Sequence, residues 1–134
     1  MDTFNIDFNK TEELVNKLSS LLDEVRGMKK VNPSSNTAAK EYSMRSTYQN
    51  LQQSLENFER IKYEYVNTPA KFANIRDKPA RIAKIDKLKI TAGELMSGYE
   101  TFIRLQASGM VDEEQPMIRT KGADGEYDDT RDLS

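Results

Sequence analysis

Residues 85–102 read IDKLKITAGELMSGYETF. Ile85, Leu88, Ala92, Leu95, Tyr99 and Phe102 recur at steps of three and four, so they share one side of an α-helix. Ile82, Met96 and Ile103 widen the stripe on one flank, which predicts contact with two neighbouring helices. The same pattern occurs twice earlier. It runs through Leu14, Leu18, Leu21, Val25 and Met28, with Val15 and Leu22 widening it, and through Met44, Tyr48, Leu51, Leu55 and Phe58. Three stripes in a chain of 134 residues can leave water only by facing each other. The expected fold is all-α: an antiparallel three-helix bundle, up-down-up, with helices at about 10–28, 37–67 and 78–108.

The punctuation agrees with that reading. Phe4, Ile6 and Phe8 alternate, which suggests a short extended lead-in that tucks its rings against the bundle. Asn9 and Glu12 have capping-box spacing, with Phe8 as a staple. Gly27 is a stop for the first helix, followed by Lys29 and Lys30, where the helix dipole favours cations. Residues 31–36 are a loop by composition, and Ser34, Ser35, Asn36 or Thr37 caps the second helix. Lys62 falls on the second seam, where its stem covers the bundle end while its ammonium reaches water. Pro69 ends that helix. Phe72 and Ile75 are placed to pin the connection that follows. Asp77 is an N-cap with Pro79 in the first turn. Gly98 borders the third seam and suggests a close helix approach; Gly109 is the stop.

Composition narrows the chemistry. The chain has no Cys and no His, which removes disulfides, thiolate chemistry, the usual general base near neutral pH and the commonest metal ligand. No catalytic residues, metal ligands or cofactor are predicted. A carboxylate-dependent enzyme would need a buried acid cluster, and the periodic pattern offers no position for one. There is no phosphate loop or nucleophile elbow. The stretch from Asp124 to Asp129 has the acids of a calcium loop without its glycine position or closing Glu, and reads as solvated linker. Residues 109–134 carry eight acids and three bases, net −5, so the rest of the chain carries +3. The expected organisation is a bundle over 1–108 and a flexible acidic linker over 109–134.

Two sets of surface residues stand out. Lys71, Arg76, Lys78, Arg81, Lys84, Lys87 and Lys89 are the densest charge cluster, against Asp77 and Asp86. They form a candidate patch for an acidic partner or anionic headgroups. Lys78 and Arg81 lie near a helix N-terminus, where the dipole disfavours cations. Nucleic acid would call for a larger basic excess with interleaved aromatics. Tyr63 and Ile90 fall outside their seams and are candidate exposed apolar contacts.

The order of parts resembles the N-terminal, Habc-like domain of Qc-type SNARE proteins, in the branch of syntaxin six and syntaxin eight. Asn67-Thr-Pro-Ala-Lys-Phe72 looks like the Asn-Pro-x-Lys-Phe turn of that group, with Thr68 as an extra residue. Arg81 resembles the Arg that follows early in the third helix, and Asp128-Asp-Thr-Arg-Asp-Leu-Ser134 looks like the polar joint before a SNARE motif. The resemblance implies a monomeric regulatory domain of a longer protein, on the cytoplasmic face of Golgi or endosomal membranes. It implies protein partners: other SNAREs, tethering complexes or SM-type regulators. Membrane attachment would come only through a C-terminal anchor beyond this sequence. The groove of the second and third helices is the first expected docking surface, because the second stripe is narrow and flanked by Gln52 and Glu59. The alternative is a stand-alone helical structural or assembly protein, viral or phage-like, that self-associates through the same seams.

Overall fold

The computed structural model describes residues 2–109. Three long helices account for most of them: α1 (Phe4–Val31), α2 (Ala38–Asn67) and α3 (Lys78–Ala107), with a short 3₁₀ turn at Pro69–Phe72 before α3. There is no strand among the described residues. Residues up to Ile103 form one compact unit, and those from Arg104 are grouped apart. The linker expected over 109–134 lies, except for Gly109, outside the described residues.

α1 departs from expectation at both ends. It begins at Phe4, so the lead-in is helical and not extended. Phe4 and Phe8 are an i,i+4 pair on one helix face, stacked at 5.8 Å, and both rings meet Phe58 edge-on at 5.6 and 5.9 Å. Burying that pair together outweighs the period-two alternation that Ile6, exposed to solvent, only mimics. The Asn9–Glu12 capping box therefore sits inside the helix. The start is instead dressed by Asp2, whose Oδ1 accepts the Phe4 N–H at 3.2 Å, and by Thr3, which donates to Asp7. Gly27 does not stop the helix. α1 continues through it to Val31, and the Asn32 N–H closes the last turn on the Met28 carbonyl.

The other boundaries match. Thr37 precedes α2, and the Asn36 side chain accepts the Ala38 N–H. Pro69 opens the 3₁₀ turn. The Asp77 carbonyl accepts the Arg81 N–H at the start of α3. Gly109, at φ 74°, adopts the left-handed conformation that glycine tolerates best, just past the end of α3.

The core forms two clusters. Leu18, Leu22, Val25, Met44, Leu51, Ala92, Tyr99 and Phe102 make the larger, with residues from all three helices. Phe4, Phe58, Ile85 and Leu88 make a smaller, ring-rich one, again drawn from all three. Ile82 and Met96 are half-buried, whereas Ile103 is exposed.

Cα atoms of α1 and α2 come within 8 Å of one another. We attribute the close approach to small buried side chains on α1 and α2. Thr11 and Thr47 are almost fully buried, and their hydroxyls are satisfied by the carbonyls of Asp7 and Ser43 at 2.8 and 2.7 Å. α3 is held by longer side chains. Gly98 is not a close-approach site: a Cβ there would meet only Arg26 Nη2, at 3.9 Å.

Cross-helix pairs show the register. Tyr48, Glu59, Lys62 and Tyr65 of α2 meet Glu100, Lys89, Asp86 and Arg81 of α3, in falling order. Phe8 near the start of α1 meets Phe58 late in α2, whereas Glu24 meets Lys40. Between α1 and α3 the order rises: Phe8 with Lys84, then Arg26 with Gly98.

Candidate functional site

The charged stretch from Lys71 to Lys89 does not form one patch. Arg81 lies on the buried face of α3, one turn before Ile85, and is only 6% exposed. Its guanidinium donates to both carboxylate oxygens of Asp2 and, at 3.0 Å, to the Tyr65 hydroxyl. Its Nε faces Asp77 Oδ1 at 2.9 Å, an ion-pair contact whose angle is too poor for a hydrogen bond. The Phe4 ring lies 4.7 Å from the guanidinium carbon. The hydrogen bond from Arg81 holds the Asp2 carboxyl below its ordinary value, and the bond to Asp2 holds the Arg81 guanidinium above its own. The cation's charge is thus answered within the chain.

Lys78 donates to the Phe72 carbonyl at 3.0 Å, which ties α3 to the turn before it. Lys89 pairs with Glu59, and Lys71 sits over the Phe72 ring at 5.6 Å. Arg76 is exposed with no partner among the described residues. Lys84 and Lys87 are what remains. Lys84 lies 5.6 Å from the Phe8 ring, and neither has an ion pair among the described residues.

These two lysines border a hollow of about 520 Å³ between α1 and α3. Phe8, Val15 and Leu88 are its apolar lining; Glu12, Lys84 and Lys87 are its charged edge. The α2/α3 side, the first expected docking surface, carries cross-helix pairs. Lys62 pairs with Asp86 at 2.6 Å, Lys89 with Glu59 at 2.7 Å, and the Tyr48 hydroxyl bonds to Glu100. The hydrogen bond to Asp86 raises the Lys62 ammonium, which stays half-exposed at the end of its stem. Burial, then Glu100, pushes the Tyr48 hydroxyl up to about 12.

Tyr63 and Ile90 are 67% and 64% exposed, as their off-seam positions imply. Tyr63 and Val66 line a smaller surface depression of α2. A further hollow of about 390 Å³ lies beside the Arg81 cluster and includes Asp2, Phe4, Tyr65 and Phe72.

Sequence reasoning missed the Arg81 cluster, although one signal was present. Positions 81, 85, 88 and 92 have seam spacing, as do 58 and 65, so Arg81 and Tyr65 both extend buried stripes.

The described residues contain no acidic or Cys/His group able to hold a metal ion, and no helix long and apolar enough to cross a membrane. Comparison with family models, curated proteins and solved structures finds no match.

Proposed function

We propose that this chain is a non-catalytic docking domain. In this reading it is an antiparallel, up-down-up bundle whose α1/α3 hollow receives an amphipathic helix of a partner protein. The observation that carries the reading is the combination at that hollow. Apolar Phe8, Val15 and Leu88 lie beside two lysines with no ion pair among the described residues, while most neighbouring cations of α3 are engaged. A helix with an apolar stripe and an acidic flank complements both features. The opposing pair orders between helices support the bundle topology.

The resemblance to Qc-SNARE N-terminal domains supplies the setting. The partner helix then belongs to another SNARE, with tethering complexes and SM-type regulators as further partners. The role is control of vesicle fusion at the cytoplasmic face of Golgi or endosomal membranes. Binding in the hollow would change how readily a downstream SNARE helix is available, by differential affinity for two states of the whole protein.

The test is titration of the isotope-labelled chain with soluble SNARE-motif helices. Shift changes at Phe8, Lys84, Lys87 and Thr91, lost in the Lys84→Glu, Lys87→Glu double variant, are the expected result. Changes confined to other surfaces, or none at saturating peptide, overturn the reading. Sedimentation of the chain alone as a defined oligomer would favour the assembly-protein alternative.

A further inference from the structure

The Arg81 cluster has the composition of a recognition site rather than of a simple ion pair. A buried guanidinium presents one edge to a carboxylate and its face to an aromatic ring. The ring, Phe4, is 4% exposed and lies edge-on to Phe58, within the cluster that also contains Ile85 and Leu88. Asp2 and Phe4 stand two residues apart, so a single turn of chain delivers both groups. Bidentate carboxylate capture and stacking on a ring are the two things arginine does better than lysine.

The segment that fills this site is lightly held elsewhere. Thr3, Asn5 and Ile6 are exposed, and Asp2 keeps about half its side chain in water. Thr3 makes no side-chain bond to the helix backbone, so the first turn lacks a full cap. The hollow lined by Asp2, Phe4, Tyr65 and Phe72 leaves the outer side of the turn unpacked. Helix ends with few buried contacts open at far lower cost than the core. An opening here would uncover Arg81, Tyr65 and Phe58 together.

We infer that the Arg81 site is a recognition pocket for an acid-x-aromatic segment of a partner protein, filled in the resting chain by its own Asp2 and Phe4. The internal segment acts as a tethered competitor. Its effective concentration is on the order of millimolar for so short a link, so a partner must exceed that or bind more tightly. The residues of the pocket, Arg81, Tyr65 and Phe58, do not line the α1/α3 hollow, although Phe4 stacks on Phe8 at the hollow's edge.

The test uses the full chain with Asp2→Ala and Phe4→Ala, which vacates the pocket. The probe is a synthetic peptide of residues 1–9, followed through the Arg81 side-chain Nε–H and the Tyr65 and Phe58 rings by NMR. The peptide is expected to saturate the vacated variant, to bind wild type at least about tenfold more weakly because of the tethered competitor, and to lose binding when it carries D2A or F4A. A folded vacated variant that ignores the peptide overturns the proposal, as does equal binding to wild type. If the vacated variant does not fold, hydrogen exchange of the wild-type chain decides. The amides of Asp7, bonded to the Thr3 carbonyl, and of Phe8 exchanging at least tenfold faster than those of Leu22 and Leu51 support an opening pocket, and exchange at the core's rate overturns it. Concentration-dependent dimerisation of wild type, abolished by Asp2→Ala, would make the occupant a second copy and overturn the partner assignment.

Discussion

The contact between α1 and α2 and the contacts of α3 are built from different materials. α1 and α2 approach closely, with Thr11 and Thr47 buried and their hydroxyls folded back onto the helix backbone. α3 is joined to them by other groups. It is reached by the rings of Tyr99 and Phe102, by Ile85 and Leu88, and by polar links at Tyr48–Glu100, Glu59–Lys89, Lys62–Asp86 and Asp2–Arg81. A close contact made of small groups is sensitive to added volume, because dense packing leaves no slack. A contact made largely of long and charged groups depends more on charge. The molecule therefore contains one stiff interface and one adjustable one, and the hollow proposed for docking lies along the adjustable one.

Four sets of substitutions and conditions probe that contrast. The largest effect is expected at Phe58, where both interfaces meet. Phe58→Ala should destabilise the chain by about 3–5 kcal/mol in urea unfolding, because the ring fills space next to Phe4 and Phe8 and shares a cluster with Ile85 and Leu88. A loss near 1 kcal/mol would mean that the ring-rich cluster is a surface appendage.

Next, Thr47→Leu should cost about 1–3 kcal/mol, whereas Leu88→Met should cost under about 1.5 kcal/mol. Equal costs in paired melts would erase the distinction between stiff and adjustable contacts.

Third, Gly93→Ala and Gly98→Ala should each stabilise by roughly 1 kcal/mol, since alanine is the better helix former. A Cβ at Gly93 meets nothing within 4 Å, and one at Gly98 meets only the Arg26 guanidinium in ordinary contact. A destabilised Gly98→Ala protein would show that α3 sits nearer to α1 than described.

The smallest effects are electrostatic. Exposed pairs such as Glu59–Lys89 contribute about 0–1 kcal/mol each and weaken with salt. Hydrogen exchange of α3 amides should accelerate in 1 M salt more than that of α1 amides. Acid acts through Asp2. Its carboxyl is lowered from 3.8 in the folded chain, so its contribution is present above 3.8 and lost as pH falls through the lower folded value. Alkali acts on Tyr48, raised from 10.0 to about 12: the contribution of its protonated form is complete below 10 and lost as pH rises toward 12. Asp2→Asn should flatten the first dependence and Tyr48→Phe the second, both read from stability against pH.

Most of the fold was legible because burial follows spacing. Leu18, Val25, Met44, Leu51, Ile85, Ala92, Tyr99 and Phe102 were read from period alone and all are buried. What escaped is instructive. Phe4, Ile6 and Phe8 satisfy a strand alternation and, through Phe4 and Phe8, a helical step; only the position of Phe58 chooses between them. Gly27 carries a stop signal in composition, but α1 keeps solvent on that side, with nothing within 4 Å, and runs on. The basic cluster looked uniform because sequence counts charges without their partners. Arg81 is spaced as a core residue and coloured as a surface one, and its partner Asp2 lies 79 positions away, beyond any local pattern. The pairs that bridge α2 and α3 at Tyr48–Glu100 and Lys62–Asp86 were hidden for a related reason: they join residues 52 and 24 positions apart.

That separation of 79 positions has a kinetic consequence. Joining Asp2 to Arg81 encloses both earlier helices in one loop, while α1 and α2 meet across a turn of a few residues. Closure entropy grows with the length enclosed, and nearby contacts form first. The pair of α1 and α2 is therefore the early scaffold of assembly, the third helix arrives onto it, and the bond from Asp2 to the first turn of α3 is the last stitch to close and the first to part.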